Sequence, residues 1–219
     1  MSWNDLREWM PQLLVAAGNT LRITVFAYLI ALTAGLLLAL ARNSRWRGLG
    51  TGAKVYIDLV RGTPALTQLF LIYYGLASAG VVLAAFTAAV IGLGMNYAAY
   101  MAEVYRAGIN AIHRGQREAA LSIGMTNAQA MRIIILPQAF RVIVPPMANY
   151  AVSLLKDTSV ASLISAPELM LRARDLSSEY FTPMELYLVV GGMYLVMAYP
   201  LAKGARYLEI RLGRGRLAS

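Results

Sequence analysis

The sequence contains no cysteine and only one histidine, His113. Without cysteine there is no disulfide framework and no thiolate metal site, and one histidine cannot build a metal site alone. We therefore expect no metal, and we interpret His113 as a surface residue near the cytoplasmic side. The nearest match to a phosphate-binding loop, GLGTGAK over residues 48–54, lacks the Gly-Lys-Ser/Thr ending. No serine lies in a G-x-S-x-G context. The sequence thus offers no cofactor site and no catalytic centre.

Charged residues are also scarce. They make up 14% of the 219 residues, against roughly 25% in a typical soluble domain, whereas hydrophobic residues make up 58%. Charge-free runs extend from Ile23 to Ala41 and from Gly62 to Ala102, and the second is long enough for two membrane spans of about 20 residues each. Two further apolar runs cover residues 142–155 and 186–202. The composition predicts an all-α membrane protein with about five transmembrane helices in a single domain, residues 1–219.

We predict the five helices over residues 13–41, 54–76, 81–112, 136–164 and 184–208. A basic, glycine-rich loop is expected over residues 42–52, and a long outer loop over residues 165–183. The first twelve residues are predicted to be an amphipathic lead-in, in which Trp3 and Trp9 suit a membrane interface. The acidic residues Asp5 and Glu8 precede the first apolar run, whereas a cleaved signal peptide has a basic start. We therefore expect no cleaved signal peptide.

The net charge of +9 comes from basic residues that fall in alternate loops. The three basic groups are Arg42, Arg45, Arg47 and Lys54, then Arg106, Arg114, Arg117 and Arg132, and finally Lys203, Arg206, Arg211, Arg214 and Arg216. Loops rich in lysine and arginine face the cytoplasm. We therefore predict an outer N-terminus and a cytoplasmic C-terminus, and we interpret the positive charge as a topology signal rather than a nucleic-acid surface.

A polar segment, EAALSIGMTNAQAMRIIILP, interrupts the apolar runs at residues 118–137. Good helix formers over residues 116–123 predict a short helix with Glu118 in its first turn, where the helix dipole favours an anion. Gly124 indicates a left-handed stop, and Thr126 with Gln129 forms a capping-box pattern at the start of a second helix. Pro137 lies near the start of the next membrane helix, where proline is tolerated. Such a bend suits a groove on a soluble partner; an amphipathic helix lying on lipid is the alternative.

This segment resembles the "EAA" loop of ATP-binding-cassette (ABC) importer permeases. The family pattern is E-A-A, three residues, Gly, nine residues, Ile, one residue and Leu-Pro, and the matching residues here are Glu118, Ala119, Ala120, Gly124, Ile134, Leu136 and Pro137. The stretches RGTP, AEVYRAGI, GQREAA, LPQA, PP and KDTS extend the resemblance over roughly residues 13–210. They are similar to the polar amino-acid branch of type I importers, which includes histidine, glutamine and arginine permeases.

The resemblance implies a permease subunit in the bacterial cytoplasmic (inner) membrane that moves a polar amino acid, or a similar solute, into the cell. It implies a second permease subunit, identical or related, and a periplasmic or lipid-anchored binding protein that delivers the solute. It also implies two ATPase subunits, which bind ATP-Mg and dock on a coupling segment at residues 115–136. The coupling residues that the motif assigns are Glu118, Ala119, Ala120, Gly124 and Met125. This chain would then bind no cofactor and would not be an enzyme.

Ionisable residues inside membrane spans are costly, so they point to function. Asn96, Tyr100 and Glu103 share one helical face, and Asn149, Ser153 and Lys156 repeat the same spacing just before Asp157. We predict that these two faces bound a hydrated substrate pathway. A structural alternative stays open, in which Glu103 pairs with Arg106 or Arg61 and Lys156 pairs with Asp157.

Arg61 is predicted to neutralise Asp58 one helical turn away, and Gly62 and Pro64 to let the second helix bend. The charges do not decide the substrate: Glu103 and Asp157 favour a basic amino acid, whereas arginine and lysine side chains favour an acidic one. A secondary transporter would need more spans or an inverted repeat. An intramembrane enzyme would need a paired nucleophile and base, and the sequence shows neither pattern.

Overall fold

The computed structural model describes residues 3–213 and the side chains of residues 7–212. Within that part the chain forms eight helices and no strand, which confirms the all-α prediction. The helices are α1 (Trp3–Arg42), α2 (Arg47–Gly62), α3 (Ala65–Ser78), α4 (Ala85–Asn110), α5 (Arg114–Ser122), α6 (Asn127–Ile164), α7 (Leu169–Tyr180) and α8 (Pro183–Gly213). The predictions on Trp3, Asp5, Arg214 and Arg216 lie outside the described side chains.

Among residues 3–213, four helices are long and apolar enough to cross a membrane: α1, α4, α6 and α8. Helix α3 is apolar but shorter, with a length of about 21 Å against a hydrocarbon core of about 30 Å. The total of five membrane spans remains a prediction, and so does the orientation with an outer N-terminus and a cytoplasmic C-terminus. Helix α1 has 40 residues and is about 60 Å long, so it extends beyond a bilayer core.

The predicted second helix, residues 54–76, is wrong as a continuous element. Helix α2 ends at Gly62, Thr63 is extended with φ −118° and ψ 146°, and Pro64 precedes the first residue of α3. Proline has no N–H to continue the helix and pushes the residue before it into the extended region. The Gln68 side chain stabilises this break, because its Nε2 donates to the Val60 carbonyl oxygen at 2.8 Å and to the Thr63 hydroxyl at 2.7 Å.

Two predicted loops contain helix. The basic loop over residues 42–52 becomes α2 from Arg47 onward, so only residues 43–46 connect α1 to α2. The outer loop over residues 165–183 contains the twelve-residue helix α7. Both segments have a mixed polar and apolar pattern of modest length, which does not identify a helix that is stabilised by tertiary contacts.

Helices α1 and α4 form the centre of the fold and approach each other at two glycines. A Cβ atom added at Gly35 would lie 2.5 Å from the Met101 Cβ, and one added at Gly94 would lie 2.8 Å from the Ile30 Cβ. Small residues allow this close packing between membrane helices. The main buried cluster joins α1, α3, α4 and α6 through Ile23, Leu69, Leu93, Met101, Leu154 and Ile164.

The two ends of α1 pack against different partners. Near its C-terminus, Ala39 packs with Ile57 of α2 and Ala102 of α4, and α4 leads directly towards α5. Near its N-terminus, Trp9 and Leu13 pack with α7 and α8. We call the first region the coupling end and the second the far end. Thr20, in the far end, is about 33 Å along the helix from Arg42 in the coupling end.

Candidate functional site

The segment between α4 and α6 begins with a cap that the sequence analysis missed. The Gly115 N–H donates to His113 Nδ1 at 3.1 Å, so His113 caps α5 and the helix begins at Arg114. The predicted position of Glu118 in the first turn is therefore wrong, because an earlier start places it in the second turn. Histidine is not among the usual N-cap residues, so pattern reasoning gave no signal for it.

The bend after α5 has the geometry that the sequence predicted. Gly124 has φ +84°, a left-handed conformation that favours glycine. Its N–H donates to the Leu121 carbonyl oxygen at 3.0 Å, and the Met125 N–H donates to the Ala120 carbonyl oxygen at 3.1 Å. These two bonds form a Schellman motif, which satisfies carbonyl groups at the end of a helix. The chain direction at this point is thus fixed by backbone hydrogen bonds.

The second predicted helix start is also present. The Thr126 hydroxyl accepts a hydrogen bond from the Gln129 N–H at 3.3 Å, and Gln129 Oε1 accepts from the Thr126 N–H at 2.8 Å, which completes the capping box. The Arg117 guanidinium then donates across the bend to Asn127 Oδ1 at 2.7 Å. Helix α6 passes from this cap directly into the predicted fourth membrane helix, through a π-helical stretch at Ala130–Ile135.

Most side chains of the coupling segment, residues 115–136, are exposed when only residues 7–212 are considered. Glu118, Ala119 and Gly124 are exposed, Met125 is half-buried, and Ala120 is buried. Ile123 at the tip of the bend is 78% exposed. The bend is therefore exposed, held by backbone hydrogen bonds and apolar at its tip.

The structure separates the seven predicted pathway residues into distinct environments. Asn96 is buried, and its Nδ2 donates to Gln68 Oε1 at 3.0 Å, so it supports the break between α2 and α3. Asp157 accepts a hydrogen bond from the Tyr97 hydroxyl at 2.6 Å, which ties α6 to α4. Asn149 and Lys156 are exposed and Ser153 is half-buried. The suggested pairing of Lys156 with Asp157 is not among the ion pairs of residues 7–212.

Glu103 lies at the centre of a cluster of three arginines. Its carboxylate accepts from Arg42 at the end of α1 and from Arg106 one turn along α4, the latter with an N–O distance of 2.6 Å. Arg61 of α2 lies 4.0 Å away and also covers the Tyr100 ring, with 5.7 Å between its guanidinium carbon and the ring centroid. The predicted pairing of Arg61 with Asp58 is wrong, because that pair is not among the ion pairs of residues 7–212. The pairing of Glu103 with Arg106 and Arg61 is confirmed, and the contact with Arg42 was missed because 61 residues separate the two.

A cavity of about 310 Å³ lies between α4 and α6 beside this cluster. Tyr100 and Glu103 line it together with Arg61, Pro146 and Tyr150. The Tyr100 and Tyr150 rings contact each other at an interplanar angle of 40°, with 5.6 Å between their centroids. The cavity thus combines aromatic walls with a charged end, and of the seven predicted pathway residues it contains two.

Comparisons with known proteins agree with this arrangement. The family described as "Binding-protein-dependent transport system inner membrane component" matches residues 31–213. The "Probable amino-acid ABC transporter permease protein PatM" of Vibrio harveyi is 40% identical over 215 residues, which cover 97% of this chain and 96% of that protein. The "L-cystine transport system permease protein TcyB" of Bacillus subtilis is 37% identical over 196 residues, which cover 89% of this chain and 84% of that protein.

A solved structure has the same fold. It is described as "Crystal structure of an amino acid ABC transporter with histidines", and it superposes with a TM-score of 0.92 at 37% sequence identity. The superposition covers 96% of this chain and 99% of that chain. The eight described helices therefore follow the arrangement of an importer permease along nearly their whole length.

This chain belongs to the family of binding-protein-dependent transport system inner membrane components. It is a multi-pass inner-membrane protein and a permease subunit of the ABC importer type. The predicted resemblance to amino-acid permeases is confirmed, and so is the prediction that the chain is a transport subunit, since ATP hydrolysis in such systems belongs to a separate ATPase subunit.

Proposed function

We propose that this permease subunit moves a polar amino acid into the cytoplasm along α4 and α6, and that ATP hydrolysis in a partner drives it through α5 and the Gly124 bend. The relatives named as amino-acid permeases support the solute class. The exposed, rigid bend supports the coupling role and is the single observation that carries the proposal.

The coupling surface is formed by Glu118, Ala119, Gly124 and Met125, with the buried Ala120 beneath them. Ala119 offers a small exposed face, and Glu118 offers a carboxylate that no basic side chain of residues 7–212 pairs with. Because the Schellman and capping-box bonds fix the bend, a force on α5 is transmitted to α6 instead of being absorbed by a flexible loop. One such surface per permease subunit requires two ATPase subunits for a permease pair, and each would bind ATP-Mg.

The solute pathway uses the predicted residues in two ways. Tyr100 and Glu103 line the cavity, and Asn149, Ser153 and Lys156 lie on a face of α6 that other described residues leave at least partly open. A second permease subunit, a copy or a relative of this chain, would cover that face and complete the pathway. Asn96 and Asp157 act from behind the lining, because their hydrogen bonds to Gln68 and Tyr97 hold the surrounding helices in place.

The remaining partner is a periplasmic or lipid-anchored binding protein that delivers the solute to the side opposite the ATPase. The description of the family names binding-protein dependence. In the predicted orientation, α1, α7 and α8 face the delivered solute at the far end.

The test is purification of the intact complex from native membranes through a tag on the C-terminus, followed by native mass spectrometry. We expect two ATPase subunits and a permease pair with the unaltered chain. Gly124→Asp should abolish ATPase retention, because aspartate strains the left-handed position by about 1–3 kcal/mol and places a charge at the apolar tip.

The matched control is Gly48→Asp. Gly48 is also exposed, no atom lies within 4 Å of an added Cβ, and its φ is not in the left-handed region. This variant should retain the ATPase. Loss of the ATPase from both variants, or from neither, would contradict the assignment of the coupling surface to the Gly124 bend.

A further inference from the structure

Glu168 is a buried carboxylate that neither the coupling surface nor the solute pathway uses. Its side chain is fully buried at the far end, where it caps α7. The Leu171 N–H donates to its Oε1 at 2.7 Å, and the Met170 N–H donates to its Oε2 at 2.9 Å. The Tyr194 hydroxyl of α8 donates to the same Oε2 at 2.7 Å.

The neighbouring residue extends this contact to α1. The Leu169 N–H donates to the Thr20 hydroxyl oxygen at 3.0 Å, a bond between residues 149 positions apart. Two consecutive residues, Glu168 and Leu169, therefore attach the first turn of α7 to both α8 and α1. Farther along α7, the Tyr180 hydroxyl donates to Glu8 Oε1 at 2.6 Å. Glu168, Leu169 and Thr20 are fully buried, whereas Tyr180 is half-buried and Glu8 is exposed.

The electrostatics of Glu168 are unusual for a buried carboxylate. No basic side chain of residues 7–212 forms an ion pair with it. An enclosed charge without a counter-ion is costly, so buried carboxylates are usually paired with a cation. Here the charge is balanced by neutral donors only, and truncation of the side chain would leave those donors buried without an acceptor.

We propose that Glu168 is a positioning residue for transport: its carboxylate holds α7 to α8, and with the Leu169–Thr20 bond it makes α1, α7 and α8 move as one body. The inference rests on the proposed transport function. The coupling end is about 33 Å away along α1. Loss of the contact therefore leaves ATPase docking and ATP hydrolysis in place, but it frees α7 from the helices that the hydrolysis moves.

The protonation state of Glu168 makes transport depend on pH. A residue that served only the stability of the fold would not produce this dependence of uptake on pH. Burial raises the pKa of the Glu168 carboxyl above its ordinary 4.5, and the hydrogen bonds from Met170, Tyr194 and Leu171 oppose that rise. The protonated form has a hydroxyl that needs an acceptor, and the Tyr194 hydroxyl is a neighbouring group that can turn from donor to acceptor. Acidification thus rearranges this contact without breaking the chain's fold.

The groups that face Glu168 come from four elements. Helix α8 presents Tyr194, and the end of α6 presents Thr158 as a hydrogen-bond partner of Tyr194. Helix α7 presents Arg172 and Asp175, which line a cavity of about 410 Å³ together with Glu168. Helix α1 presents Gln12, Val15, Ala16 and Asn19 to that cavity, so no titratable side chain of α1 lines it.

Glu168→Gln is the main test variant, because glutamine keeps the shape and removes the charge. The complete complex, with its ATPase subunits and binding protein, is reconstituted in liposomes. A mixture of the twenty ¹⁴C-labelled amino acids is the probe, and uptake is divided by the ATP hydrolysed over the same interval. We expect the variant complex to assemble with a melting temperature within about 4 °C of the unaltered complex. Its uptake per ATP should fall by at least about fivefold.

The pH profile supplies the second readout. Uptake per ATP of the unaltered complex should decline as the outer medium is acidified through the raised pKa of Glu168, because the carboxylate becomes protonated, whereas Glu168→Gln should not show this decline. The matched control is Glu179→Gln, an exposed glutamate on the same helix, and it should behave as the unaltered chain does. Unchanged uptake per ATP and an unchanged profile in Glu168→Gln would overturn the proposal.

Tyr194→Phe keeps the test decisive if Glu168→Gln fails to assemble. This variant removes only the link to α8 and leaves both backbone hydrogen bonds of the cap. Uptake per ATP should fall in the same direction, and no fall would overturn the proposal. An unaltered complex that hydrolyses ATP but takes up none of the twenty amino acids is a separate result. It would refute the proposed function, and this inference with it.

Discussion

Glu103 and Glu168 are two enclosed carboxylates at opposite ends of α1, and their surroundings differ in kind. Glu103, whose side chain is 17% exposed, faces the guanidinium groups of Arg42, Arg61 and Arg106. Glu168 is fully buried and is held by two backbone N–H groups and the Tyr194 hydroxyl. The Glu103 carboxylate, which keeps some contact with solvent, is balanced by charge, whereas the fully buried Glu168 carboxylate is surrounded by neutral donors.

This difference determines what each end of the molecule loses when its carboxylate is removed. Three arginines without Glu103 repel one another across the junction of α1, α2 and α4. The neutral donors around Glu168 do not repel one another when its charge is removed. In Glu168→Gln the amide oxygen can still accept some of their hydrogen bonds. The coupling end should therefore depend on Glu103 for stability, whereas the far end should depend on Glu168 for positioning.

Glu103→Ala should have the largest effect on stability. We expect a loss of about 2–3 kcal/mol in the free energy of unfolding, somewhat below the range for a fully buried pair because the carboxylate keeps some contact with solvent. Detergent-induced unfolding of the purified chain measures it. The double variant Glu103→Ala with Arg42→Ala should recover part of the loss, and the exposed Glu179→Ala is the control. A loss no greater than that of the control would contradict the role of the cluster.

The pH dependence of stability at Glu168 is a smaller effect with a definite sign. Because burial raises its pKa, the folded chain binds the proton more tightly than the unfolded chain does. Its contribution to stability is fully present below the unfolded value of 4.5 and is lost as the pH rises through the higher folded value. The unaltered chain should thus gain stability relative to Glu168→Gln on acidification through this raised pKa, by at most about 1.4 kcal/mol per pH unit.

Thermal or detergent unfolding of both chains across this pH range gives the measurement. The predicted trend is opposite to the decline expected for uptake, so acid unfolding cannot imitate the loss of transport. A relative loss of stability in the unaltered chain on acidification would show that the hydrogen bonds outweigh burial, and that Glu168 has a lowered pKa.

The smallest effect is expected at the ion pair next to Glu168. Arg172 and Asp175 lie 4.0 Å apart with half-exposed side chains, and exposed pairs of this kind contribute little. Asp175→Asn should change the free energy of unfolding by less than about 0.5 kcal/mol. A loss of more than about 1 kcal/mol in the free energy of unfolding would contradict this account. It would mean that charge pairing stabilises the far end, as it stabilises the coupling end.

Features that depend on a few neighbouring residues were predictable from the sequence. The left-handed Gly124 and the Thr126 capping box were both identified from residues within one helical turn, and the EAA spacing identified the family. Local signals also misled where two rules competed. Pro64 was interpreted as a bend, but its restriction on Thr63 ends α2 outright.

Features that depend on distant residues were not predictable in the same way. The contact between Glu103 and Arg42 joins residues 61 positions apart, and the link between Leu169 and Thr20 joins residues 149 positions apart. Glu168 lies in the segment that the sequence predicts to be an outer loop, and its neighbours in the sequence do not mark it as a site residue. Its role emerges only when α1, α7 and α8 are brought together, because no local pattern marks a carboxylate that neutral donors enclose.

The most direct test of the permease assignment is ATP-dependent uptake of the labelled amino-acid mixture by liposomes that contain the complete complex. The assignment predicts accumulation with ATP on the ATPase side and none with a non-hydrolysable analogue. Gly124→Asp should abolish that accumulation, and Gly48→Asp should preserve it. Uptake without ATP by this chain purified alone would contradict the assignment and favour a secondary transporter.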